Sequence, residues 1–141
     1  MISSAETSRE KDLLPFGWGR FAKAIDRLAD VSESEESLLA ACVTLNPAFK
    51  HRAITLVGIL YELKDSTNVV LAVTNQRLLV IPTSVSGAPG AEQTIAFAGL
   101  ELVAHDKREI TLRWSEGEAS FKGAAKTMVT PFLNALRSCL L

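Results

Sequence analysis

The chain is short of the residues that usually announce chemistry. Among its 141 residues are two Cys, two His, two Trp and one Tyr. Two cysteines cannot make a disulfide framework. Cys42 and Cys139 sit in the apolar settings AACVTL and RSCLL, where a buried free thiol is expected. His51 and His105 lack a Cys, His or carboxylate at metal-ligand spacing, so no metal site is expected. No Gly-x-Ser-x-Gly elbow is present, and Gly87-Ala88-Pro89-Gly90 lacks the Gly-Lys-Ser/Thr ending of a phosphate-binding loop. The acidic residues are scattered, with no spacing that pairs two of them as acid and base. Neither an enzyme nor a cofactor carrier is expected.

Charge of one sign is also missing. Fifteen Lys and Arg face sixteen Asp and Glu, a net charge of −1. A chain that neutralises many phosphates carries a basic excess, so nucleic acid is not an expected partner. The longest apolar run, Ile54–Leu60, is too short to span a bilayer, and the opening MISSAETSREKDLL has no apolar core of a secretory signal. A soluble, cytoplasmic chain is the expectation. Its length suits one domain, which buries about two-thirds of the surface its unfolded chain exposes and needs no disulfide or metal for stability.

What is abundant is β-forming sequence. From Asn68 to Thr83, NVVLAVTNQRLLVIPT, two apolar runs flank Thr74-Asn75-Gln76-Arg77. That pattern predicts a β-hairpin, because Val, Leu and Ile suit a pleated, buried surface and Asn tolerates a tight turn. Ser37–Leu45 predicts a first strand, with Asn46-Pro47 expected to break it. In His51–Leu63, Ile54, Leu56, Gly58 and Leu60 alternate as in a strand, although Leu56, Leu60 and Leu63 also keep a helical spacing. Strand is preferred there, since Gly58 would weaken a helix by about 1 kcal/mol.

Ser84–Gln93, rich in Gly, Ser and Ala, predicts a loop. Thr94–Phe97 is a candidate short strand. Leu100–His105, Ile110–Trp114 and Ala119–Phe121 alternate with period two, the last two joined by a turn at Ser115–Glu118. Trp114 and Phe121 are expected to be buried. Two helices frame these strands. Trp18, Phe21, Ile25 and Leu28 line one face of a helix over 15–31, and Met128, Phe132, Ala135, Leu136, Cys139 and Leu140 line another near the C-terminus. Thr127 or Thr130 is the expected N-cap of the second, with Pro131 in its first turn. Residues 1–14 read as a polar, patternless, flexible N-terminus.

The hairpin residues Val69–Val80, with Thr74, Arg77 and Leu78, resemble the Thr-x-x-Arg-Leu hairpin of bacterial pleckstrin-homology-like and GRAM-like domains. Glu36, ahead of Leu38-Leu39, is similar to the Glu-x-Leu-Leu start of their first strand. Thr94–Leu102 resembles the bend and strand that follow, and Ile110–Phe121 the last hairpin. The resemblance covers residues 35–141 and implies a mainly β (α+β) fold. That fold would be a barrel of about seven antiparallel strands with a C-terminal capping helix, the N-terminal helix being an addition. It also implies a binding scaffold rather than an enzyme.

The runs 69–73 and 78–82 are apolar on both faces, so something must shield the outer one. The N-terminal helix or a second subunit would do so. Arg20, Lys23 and Arg27 beside Trp18 and Phe21 would suit a membrane surface, but Asp26 and Asp30 dilute them and the sheet needs that apolar face. The expected function is a non-catalytic protein–protein interaction scaffold capable of self-association, its partner unknown. The alternative is weak peripheral binding to anionic lipid headgroups through Lys50, His51 and Arg52, beside Phe49.

Overall fold

The computed structural model describes residues 1–49, 68–106, 108–115 and 117–140, with backbone alone for 46–49. Helix α1 spans Ser4–Asp12. A short 3₁₀ turn, Gly19–Phe21, leads into α2, Ala22–Val31. Seven strands follow: β1 Leu38–Phe49, β2 Asn68–Thr74, β3 Leu78–Thr83, β4 Gln93–Ile95, β5 Glu101–Asp106, β6 Glu109–Trp114 and β7 Gly117–Lys122. Helix α3, Val129–Cys139, closes the described chain.

All strand pairs are antiparallel, in the order β4-β3-β2-β1-β7-β6-β5. The long first strand sits at the centre of that order. Its first half pairs with β2, its last residues with β7, so one strand carries the sheet from one hairpin to the other. No ladder joins β4 to β5 among the described residues, so the sheet is open. The described residues are therefore α+β, a seven-stranded antiparallel sheet with three helices.

The 68–83 hairpin forms as the apolar runs require, with Val73 opposite Leu78 and Asn68 opposite Thr83. Every residue of β2 and β3 is buried. Helix α2 packs on β2, α3 packs on β1 and β2, and Phe21, Ile25, Leu28, Phe132 and Leu136 are fully buried in one core with the strands. The shield over the doubly apolar strands is thus built from the chain's own helices. Trp114 and Phe121 are buried as their alternation demands.

Four expectations need correction. The start of the chain, read as flexible over 1–14, carries helix α1. Ser3 and Glu6 form a reciprocal capping box, the Ser3 hydroxyl accepting from the Glu6 amide and the Glu6 carboxylate accepting from the Ser3 amide. The helix expected over 15–31 begins only after a turn at 15–18, where Trp18 N–H donates to Pro15 and Gly17 takes a φ of 86°. Asn46-Pro47 does not end β1. The strand runs on to Phe49 through a register shift between Leu45 and Ala48 against β7, an irregularity of the kind that tolerates a residue without an N–H. Neither Thr127 nor Thr130 caps α3. Met128 holds the cap position without a side-chain bond, and the Thr127 hydroxyl donates instead to the Leu13 carbonyl. Pro131 lies in the first turn, where its missing N–H is harmless.

Candidate interaction surface

Three motif residues, Thr74 and Arg77 of the hairpin and the distant Glu36, meet at one end of the sheet. Arg77, just past the hairpin turn, donates from Nε to Glu36 Oε2 and from Nη2 to Glu36 Oε1, both at 2.8 Å. The Thr74 hydroxyl donates to Glu36 Oε2 at 2.6 Å, and the Glu33 amide to Oε1 at 3.0 Å. Arg77 Nη2 also reaches the Val31 carbonyl at the end of α2 (3.0 Å). The fork geometry of a guanidinium matches a carboxylate edge on. Burial alone would push the Glu36 carboxyl up. The bonds from Arg77, Thr74 and Glu33, with the Arg77 charge, outweigh burial and hold it down at about 2. All four acceptor positions of its carboxylate are engaged, so the cluster ties α2, β1 and the hairpin together.

The open surface lies at the other end of the strand order. Strand β5 is paired only with β6, and its burial pattern is exposed almost throughout. Among the described residues neither a strand nor a side chain bonds its outer edge. A register shift between Leu102 and Ala104 makes Val103 a bulge, which brings Leu102 and Val103 together on the wall of one groove. That groove, about 650 Å³, runs between β5 and the last turn of α3 and is lined by Leu100, Glu101, Leu102, Val103, Arg137 and Leu140. Val103 is 40% exposed, high for a residue of its kind in a strand. Arg137 Nη2 lies against Nε2 of His105, bringing the two side chains together beside the groove. Glu101 is drawn to Arg113 across the strand (3.4 Å). The lining is thus mostly apolar, with Glu101 and Arg137 as its charged members.

Of the residues expected to carry ligand chemistry, Lys50, His51 and Arg52 lie outside the described residues. The cations of the 3₁₀ turn and α2 are dispersed rather than gathered. Arg20 stacks over Phe21 at 4.4 Å and Arg27 reaches Glu92 at 3.6 Å. Asp26, the α2 acid that dilutes them, is paired with Lys11 at 2.9 Å. Among the described residues no group of three or more His, Cys, Asp or Glu could hold a metal ion, and no helix is long and apolar enough to cross a membrane. The groove itself escaped sequence reading, because Leu102 and Val103 read as members of an alternating strand and the bulge has no residue signature.

No family model and no curated protein matches the chain. Among solved structures the chain is similar to the C-terminal domain of an unknown protein from Leishmania infantum, at 16% identity and a TM-score of 0.44. The match covers 86% of this chain and 95% of that one.

Proposed function

We propose that this chain is a non-catalytic interaction module of pleckstrin-homology-like type, working in the cytoplasm, that binds an extended segment of a partner protein along β5 and the α3 groove. The observation that supports this reading is the unanswered outer edge of β5 beside an apolar trough. An extended peptide added to such an edge gains main-chain hydrogen bonds, while alternate side chains drop into the neighbouring groove. Leu100, Leu102, Val103 and Leu140 offer that groove apolar contact, and Glu101 and Arg137 offer charge at its rim. The meeting of Glu36, Thr74 and Arg77 supports the pleckstrin-homology-like assignment, since these are the residues that carry the resemblance.

The test is selection of peptides from a displayed random library on the immobilised full chain, followed by amide-shift mapping with the selected peptides. Shifts confined to residues 101–106 and the end of α3, lost with Val103→Lys, are the expected result. Selected peptides that perturb other elements, or that bind Val103→Lys equally well, would overturn the reading.

A further inference from the structure

A second sheet edge is hidden, and the way it is hidden identifies what fits it. The first half of β1 pairs with β2 on one side only, because β7 begins its pairing at Leu45. On the other side stands α1, whose side chains bond the backbone of β1 directly. Glu6 Oε2 accepts from Leu38 N–H at 2.9 Å, Arg9 Nη2 donates to the Leu38 carbonyl at 2.8 Å, and Glu10 Oε1 accepts from Ala41 N–H at 2.8 Å. Glu10 is 2% exposed, a buried carboxylate whose remaining oxygen is held by Arg9 at 2.7 Å. Three charged side chains of a helix thus take the place of a neighbouring strand.

Of the other edges, β4 is only three residues long, and β5 is the open edge already described. The half of β1 that β7 leaves unpaired, Leu38-Leu39-Ala40-Ala41, has no charge and no proline. Its only guard among the described residues is α1.

We propose that α1 is a displaceable cover on this edge, and that the occupant it excludes is β1 of a second copy of the chain. The register shift between Leu38 and Ala40 turns Leu38 and Ala41 toward the same edge. An antiparallel pair with Leu38 opposite Ala41 of the second copy exchanges N–H···O=C bonds between those two residues, twice by symmetry. Of the four groups such a pair uses, Leu38 N–H, Leu38 C=O and Ala41 N–H are the three that α1 now holds. The apolar, uncharged segment meets its own copy without like-charge repulsion. Helix α1 itself is short and polar, and Ile2 just before it is its near neighbour in the core. This surface is distinct from the β5 groove and does not depend on it.

The experiment is sedimentation velocity on the full chain, comparing wild type with Glu6→Ala/Arg9→Ala/Glu10→Ala, and with Leu39→Lys added to that triple variant. The expected result is a single-chain mass for wild type, a twofold mass for the triple variant, and return to the single-chain mass with Leu39→Lys, since Leu39 is exposed and a lysine there blocks edge pairing. A folded triple variant that stays single-chain would overturn the proposal. So would a twofold mass that ignores Leu39→Lys, or a twofold mass in wild type. Should the triple variant lose its far-UV ellipticity, Glu6→Met/Arg9→Met/Glu10→Met, which keeps side-chain bulk and helix propensity while removing all three edge bonds, decides by the same readings. None of these outcomes bears on peptide binding at β5, which Val103→Lys reads separately.

Discussion

Glu36 is a carboxylate kept charged inside the fold, and its free energy can be followed through pH. Its folded pKa, about 2, lies below the ordinary value of 4.5. A depressed carboxyl contributes stability that is fully present above the unfolded pKa and is lost as pH falls through the folded one. The window is therefore pH 4.5 down to about 2, and the shift corresponds to about 3 kcal/mol at most. Glu36→Gln removes the charge and breaks the close ion pair with Arg77, an outcome that costs about 3–5 kcal/mol for a buried pair. Urea unfolding at pH 7 should show that loss. The variant should also lose stability less steeply than wild type between pH 4.5 and 3, and an equally steep loss would move the acid sensitivity to other groups. Cys42 is the converse case. Burial pushes its thiol up to about 12, so it stays protonated and enclosed at neutral pH. Alkylation of the native protein at pH 8 should modify the half-buried Cys139 and spare Cys42, and modification of both under native conditions would contradict the core described here.

Among the elements, those that repeat a period were legible and those held by single contacts were not. The 68–83 hairpin, β6 and α3 could be read because each keeps its period over several residues and buries what the period selects. Helix α3 illustrates the energetic weight of that stripe. Phe132 is fully buried while Asn134 on the same helix is exposed. Phe132→Ala should cost about 3–5 kcal/mol in chemical denaturation, and Asn134→Ala less than about 0.5 kcal/mol. Similar losses for both would mean that α3 does not pack as described. Helix α1 lacks an apolar stripe, so periodicity could not find it. Its Ser3–Glu6 capping box was a local signal that went unused, and its docking depends on Glu6, Arg9 and Glu10 meeting a backbone edge that only the folded sheet creates. The passage of β1 through Pro47 was illegible for a related reason: a proline reads as a break until the register shift beside it is known.

At the scale of the whole molecule, the strand expected within His51–Leu63 lies outside the described residues. The order of the described strands along the chain follows from the sequence, but closure does not. Whether the first and last edges of a sheet meet depends on twist and bulges, and here β4 and β5 remain apart among the described residues. The groove shares that fate, being made where a bulged strand passes a helix end some thirty residues later. Cooperativity, by contrast, follows from the core. Residues of α2, α3 and the strands belong to one continuous buried cluster that includes Phe21, Leu71, Leu112, Trp114 and Phe132. A single cluster of this kind unfolds as one unit in a domain of this size. Tryptophan emission and far-UV ellipticity should therefore trace the same denaturant transition. Helix α1 stands partly outside that unit, since it meets the sheet through charged side chains at an edge and lends the cluster little apolar area. Its opening needs those bonds, the Lys11–Asp26 pair and its packing on α2 to yield, whereas opening β2 needs the whole core to separate. Native-state hydrogen exchange should show the α1 amides, together with Leu38 and Ala41, released at a lower free energy than those of Val70–Val73. Equal protection across both sets would make α1 an integral part of the core and remove the physical basis for treating it as a cover.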